Sequence, residues 1–157
     1  MQTNNMVTPI FIFSLPRAGS TLLQRIIGAH ESVSYCSEPW VLLPFLYANK
    51  HDGITTEYNH QLMNTGLNNF INVLNSNGSS YQNELKEFLL RLYTNASDVN
   101  SVYFVNKTPR YHYIANEIIE TFPTAKFIFL WRNPLAVQAS CIDTWSNGKW
   151  NIHLYKQ

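Results

Sequence analysis

Apolar positions along the chain fall into short continuous runs and longer helical stripes, and the two kinds alternate. Residues 9–14, PIFIFS, form a compact β-rich run bounded by a proline and a Ser-Leu-Pro turn, which predicts a buried strand. In GSTLLQRIIGAH, residues Leu22, Leu23, Ile26, Ile27 and His30 recur at spacings of three and four, predicting a helix with one apolar face. SVSYCSEPW predicts a short second strand ending at Ser37, with Glu38 just beyond it and Pro39 placed to open another helix. Residues 40–98 are expected to be a mainly helical insertion or cap, interrupted by the turn-like segments NKHDGITT and NSNGSS. Residues 102–105 predict a third strand, followed by a helix through YHYIANEIIETF. TAKFIFLWRNP predicts a further clean buried strand ending at Trp131, then a helix with Pro134 at its front.

Strands alternating with helices predict an α/β fold, a parallel β-sheet flanked by helices, formed by residues 1–157 as one domain. The loops carrying Arg17, Glu38, Lys107 and Arg132 each follow a predicted strand. Ligands of open α/β sheets bind outside the carboxyl ends of the strands, so these four side chains are expected to converge although they are distant in sequence.

Composition narrows the classes. A chain of 157 residues is long enough for one core, and 45% hydrophobic, 14% aromatic and 13% charged residues describe a folded chain rather than a disordered one. The formal net charge of +1 gives no overall basic field, so no nucleic-acid partner is expected and any anion site must be built locally. Cys36 and Cys141 have neither a disulfide framework nor metal-ligand spacing and read as reduced packing residues, consistent with a cytoplasmic location. The start of the chain lacks a basic n-region, and its apolar run is too short for a signal sequence or membrane span. Glycosylation-type triplets at Asn77, Asn95 and Asn106 read as chance in a chain rich in asparagine.

SLPRAGST carries the chemistry of an oxyanion site. Gly19 lets the backbone approach a ligand, the free amides of the following helix start favour negative charge, Ser20 and Thr21 add hydroxyls, and Arg17 adds a cation. Against the triphosphate loop G-x-x-x-x-G-K-[ST], Ser14 stands at the first glycine and Ser20 at the lysine. The strand-like segments also end in Asn106 and Arg132 rather than an acidic magnesium ligand, so a metal-held triphosphate is disfavoured and no metal is expected. The alternative is a capped helix with an incidental arginine. Near the other end, Arg132 can fork onto phosphate oxygens, and Ser140, two turns into the next helix, can turn its hydroxyl to the same loop. A surface arginine and a packing serine are the competing reading. Together the two segments fit a ligand with two separated anionic groups.

These residues resemble a known family. PRAGSTLL is similar to the 5′-phosphosulfate loop of sulfotransferases that use 3′-phosphoadenosine 5′-phosphosulfate (PAPS). FIFLWRNPLAVQAS is similar to their 3′-phosphate motif, in which an arginine and a serine eight positions later bind the cofactor. The arginine form of the first loop places the resemblance nearest the tyrosylprotein and carbohydrate branch. It extends from Pro9 to about Asp143, with the middle matched loosely. It implies a P-loop-containing nucleoside triphosphate hydrolase-like fold, PAPS as sulfuryl donor, and donor contacts from Arg17, Ala18, Gly19, Ser20, Thr21, Arg132 and Ser140.

It also implies catalytic roles. Glu38 resembles the family's general base toward the acceptor, and a carboxylate among neighbours such as Trp40 suits that task; the alternative is an acid placed at a helix start. NKTPRY resembles the N-K-x-P segment, whose lysine, here Lys107, contacts the sulfuryl group and stabilises charge on the leaving phosphate; a solvated loop lysine is the alternative. Arg110 and His112 lie nearby, His112 reading as a surface or packing residue. Trp40, Phe45, Tyr47, Tyr58 and Phe70 are candidates for an acceptor cleft, although helical aromatics are more often core. The acceptor stays open among peptide tyrosine, carbohydrate, and small alcohol or lipid.

Family members usually continue past the second motif, so the fold is expected to be incomplete at the C-terminus. An exposed sheet edge there would favour homo-oligomers or poor solubility. The rival functions are a non-catalytic nucleotide-binding protein or truncated inactive sulfotransferase and, disfavoured by the missing lysine, a P-loop kinase.

Overall fold

The computed structural model describes residues 6–52, 55–56, 59–78, 80–146 and 148–149. Four strands, β1 (Thr8–Phe13), β2 (Val33–Tyr35), β3 (Tyr103–Asn106) and β4 (Lys126–Phe129), form one sheet in the order β2-β3-β1-β4. Every pairing is parallel, so all four carboxyl ends lie on one edge. The helices are α1 (Ser20–Ile27), α2 (Leu42–Leu46), α3 (His60–Ser76), α4 (Tyr81–Asn95), α5 (Ala115–Thr121) and α6 (Pro134–Ser146), with one-turn 3₁₀ segments at Tyr47–Asn49 and Tyr111–Ile114.

The alternation of β1 explains why both faces are covered. Phe11 and Phe13 point into the larger core with Leu42, Leu46, Leu89, Phe104, Ile118 and Phe122, while Ile10 and Ile12 pack with Val105, Leu23 and Ile27 beneath α1. Phe11 stacks on Phe127 at 5.8 Å and Tyr93 on Phe104 at 4.9 Å. Helices α2 and α4 supply Leu42, Leu46, Leu85, Leu89, Leu90 and Tyr93 to this core, so the segment between β2 and β3 forms much of one layer.

Three expectations are corrected. Helix α1 buries Ser20 and Gln24, leaving Leu22 and Ile26 66% and 62% exposed, because the Gln24 amide donates to the Cys36 carbonyl at 3.0 Å and fixes the rotation of a two-turn helix. Pro39 does not open a helix: Trp40 takes a left-handed φ of 54°, and α2 starts at Leu42. The strand expected to end at Trp131 ends at Phe129 and is not buried, since it is the sheet's edge among the described residues. Phe129 and Trp131 are 65% and 83% exposed. The ladder reaches one residue further only through the Leu130 amide, which donates to the Phe13 carbonyl at 2.9 Å.

Candidate active site

Beyond the carboxyl edge, the segments after β1, β2, β3 and β4 meet around a cleft of about 410 Å³. Its walls include Arg17, Gly19, Thr21, Glu38, Arg132 and Ser140. The turn after β1 is held by the Ala18 amide, which donates to the Leu15 carbonyl at 3.2 Å, with Arg17 and Gly19 both left-handed, at φ 63° and 96°. Such a conformation costs an L-residue about 1–2 kcal/mol, and at Gly19 the lack of a side chain removes that cost. Apart from its two chain neighbours, no described residue comes within 4 Å of where a Cβ at Gly19 would sit, so the backbone there presents an open face.

Gly19 caps α1 without a side-chain bond, and the first intrahelical bond runs from the Leu23 amide to the Gly19 carbonyl at 3.1 Å. The amides of the first turn therefore have no intrahelical acceptor and face the cleft with the positive end of the helix dipole. This cradle fits a phosphate or sulfate oxyanion, and Ser20 and Thr21 add hydroxyls beside it.

The second segment locks onto the first. Arg132 donates from Nη1 to the Arg17 carbonyl at 2.6 Å, and Arg17 donates from Nε to the Ser140 hydroxyl at 3.1 Å. Two guanidinium groups thus share one wall, which suits a ligand with two anionic groups. Ala18 does not line the cleft; its methyl packs with Val137 and Cys141 of α6 and ties the loop to that helix.

Glu38 lines the cleft, and Lys107 is buried behind it. The Lys107 ammonium lies 2.5 Å from Glu38 Oε1 and 3.4 Å from Thr21 Oγ1. The side chains differ in exposure, 3% for Lys107 against 34% for Glu38, so a buried cation stands behind a carboxylate that reaches the cleft. Just before Lys107, Asn106 donates to the Tyr93 hydroxyl at 2.7 Å inside the core and pins the end of β3. Burial pushes the Cys36 and Cys141 thiols up, Arg17 pulling weakly the other way on Cys141, so both stay protonated packing groups.

Other expected residues go elsewhere. Arg110 donates to the Tyr113 hydroxyl at 3.2 Å and lies over that ring, and His112, exposed at the surface, meets the Pro109 carbonyl and the same ring. Phe45 packs against the core and against Phe88, and Phe70 is 57% exposed. Tyr58 lies outside the described residues. Trp145 of α6 also lines the cleft, and no sequence signal marked it. Among the described residues no cluster of His, Cys, Asp or Glu is arranged to hold a metal, and no helix is long and apolar enough to cross a membrane.

A parallel sheet flanked by helices, with a glycine-containing turn between its first strand and first helix, defines an α/β protein of P-loop-like fold. The chain belongs to the sulfotransferase family, which it matches over residues 9–156. It is 26% identical over 139 residues to nodulation protein NoeE of Sinorhizobium fredii, covering 86% of this chain and 31% of that protein. It is 27% identical over 140 residues to a protein-tyrosine sulfotransferase of Drosophila melanogaster, covering 89% of this chain and 26% of that protein. The chain thus spans less than a third of the length of these relatives.

Proposed function

We propose that the protein transfers the sulfuryl group of PAPS to an acceptor hydroxyl or amine. The observation that carries this reading is the meeting of Arg17, Glu38, Arg132 and Ser140, spread over more than a hundred residues, around one cleft at the carboxyl edge of the sheet, with Lys107 paired to Glu38 behind it.

PAPS supplies a sulfuryl group on a phosphate leaving group, with a second phosphate elsewhere on the nucleotide. The α1 amides, Ser20 and Thr21 hold the phosphosulfate end, while Arg132 and Ser140 hold the 3′-phosphate. Arg17 and Lys107 stabilise negative charge as it moves onto the leaving oxygen, where a preorganised cation contributes most. Glu38 accepts the acceptor's proton as its oxygen or nitrogen attacks sulfur in line with the departing phosphate. These cations supply the positive charge for the transfer. The free thiols Cys36 and Cys141 suit a reducing, cytoplasmic setting.

Calorimetric titration tests the donor. The chain is expected to bind 3′,5′-bisphosphoadenosine in the absence of magnesium and to bind it more tightly than ATP with magnesium. Binding of ATP with magnesium alone would overturn the reading in favour of phosphoryl chemistry.

A further inference from the structure

Glu38 lies in a short strap, residues 36–41, that links β2 to α2 and has no regular structure of its own. Whatever holds it must therefore come from neighbouring segments, and two buried side chains do so. From α1 the Gln24 amide donates to the Cys36 carbonyl at 3.0 Å, and in the loop after β3 the Thr108 hydroxyl accepts from the Trp40 amide at 3.3 Å. Cys36 stands two residues before Glu38 and Trp40 two residues after it, so each anchor is within about 7 Å of chain from the Glu38 backbone.

The anchors are themselves fixed. Gln24 and Thr108 are 3% and 2% exposed, and the Thr108 backbone is set by its own turn, in which the Tyr111 amide donates to the Thr108 carbonyl at 3.1 Å. Between the anchors, Pro39 locks its own φ and biases Glu38 toward extended backbone. Trp40 then takes its left-handed φ of 54°, a conformation that a bulky residue keeps only where its surroundings impose it. The side chains of the strap diverge as a result: Glu38 lines the cleft, whereas Trp40 lines a separate cavity with Tyr47.

We infer that Gln24 and Thr108 are positioning residues, which together hold the strap so that the Glu38 carboxylate meets Lys107 and faces the cleft. The catalytic consequence rests on the sulfuryl-transfer reading; the anchoring rests on the two hydrogen bonds. Lys107 grips one oxygen of a partly exposed carboxylate, and a side chain held at one point can pivot about it. Fixing the backbone on both sides removes that freedom. The anchors also start from the segments that handle the donor: Gln24 lies one turn after Ser20 and Thr21 on α1, and Thr108 directly follows Lys107. The base is thereby placed relative to the oxyanion loop and the cation at once. Such placement matters because a displacement of about 1 Å at a reacting group can cost about 100-fold in rate.

Thr108→Val keeps the shape of the side chain and removes its hydroxyl, while Thr108→Ser keeps the hydroxyl. The variants are compared by amide exchange at Trp40 in NMR, by calorimetric titration with 3′,5′-bisphosphoadenosine, and by single-turnover consumption of PAPS with N-acetyltyrosinamide, N-acetylglucosamine or water as acceptor. In Thr108→Val, exchange at Trp40 is expected to quicken about tenfold and transfer to slow by about 10- to 100-fold, with the nucleotide Kd within about twofold of the unsubstituted chain. Thr108→Ser should restore both rates. Gln24→Met removes the other anchor's donor at similar length and should slow transfer at saturating nucleotide by a similar factor; it stands in for Thr108→Val if that variant does not fold. A merely structural threonine would lower the melting temperature of Thr108→Val yet leave transfer by the folded, nucleotide-saturated chain unchanged. That result, or a Trp40 amide indifferent to the substitution, overturns the inference and leaves the transfer reading standing. If the unsubstituted chain binds the nucleotide but consumes no PAPS, while exchange at Trp40 responds as expected, the transfer reading fails and the anchoring of the strap stands.

Discussion

At the residue scale, Glu38 has two jobs that one substitution would confuse. It is the proposed base, and it is also the carboxylate partner of a lysine whose side chain is 3% exposed. Glu38→Ala would leave that ammonium buried with the Thr21 hydroxyl as its remaining partner among the described residues, so it is expected to cost about 1–3 kcal/mol of stability. Glu38→Gln keeps an oxygen acceptor for Lys107 but cannot take a proton at neutral pH. It should therefore hold 3′,5′-bisphosphoadenosine as the unsubstituted chain does while slowing transfer by about 10²–10⁴-fold, as single-turnover assays would reveal. Transfer at an unchanged rate would remove Glu38 from the chemistry. Gly19 poses a purely conformational question. Apart from its chain neighbours, a methyl group there meets no described residue within 4 Å, yet φ is 96°, so Gly19→Ala should lower stability by about 1–2 kcal/mol in urea denaturation through backbone strain alone. It should also weaken nucleotide binding, because relieving that strain turns the α1 amides away from the cleft.

At the scale of elements, strand position was legible where a short apolar run met a turn, as at PIFIFS, and the candidate cleft was legible because the loops that line it follow strands. Helix rotation was not. Leu22 and Ile26 match a helical stripe as well as Leu23 and Ile27 do, but α1 is oriented by a bond to the Cys36 carbonyl, a backbone partner that no spacing rule encodes. The His60 contact with the Lys50 carbonyl was invisible for the same reason. Strand order was equally unreadable: KFIF has the composition of an interior strand, yet among the described residues it lies at the edge. That edge carries a prediction. Phe129 stacks on Phe13 at 4.9 Å but is 65% exposed, and Trp131 follows it, so among the described residues the flank of β4 offers unpaired backbone beside aromatic surface. Self-association through this flank is expected in sedimentation velocity. Phe129→Lys should shift the distribution toward monomer at a stability cost of about 1 kcal/mol from the lost ring contact, with nucleotide binding retained.

At the scale of the whole molecule, the site and the core are joined through the end of β3. Asn106, fully buried, donates to the Tyr93 hydroxyl, and the next residue is Lys107. Burial raises the Tyr93 phenol well above its ordinary value of 10.0, with Tyr111 nearby adding to the effect and the Asn106 bond opposing it; Tyr111 is raised too, again chiefly by burial. A phenol raised in the folded state binds its proton more tightly than in the unfolded chain. Its contribution to stability is thus complete below about pH 10 and is lost as pH climbs from there toward the folded value, by about 1.4 kcal/mol per pH unit for each group. The chain should accordingly unfold cooperatively under alkaline conditions, and because the core phenols sit against the strand that positions Lys107, nucleotide binding should vanish in the same transition rather than before it. Tyr93→Phe separates the contributions. It removes an ionisable group, so stability should fall less steeply above pH 10, yet it leaves the Asn106 amide without its acceptor and should cost about 1–3 kcal/mol at neutral pH. Urea denaturation at neutral and alkaline pH reads both effects, and an unchanged alkaline slope in the variant would show that Tyr93 does not govern the transition.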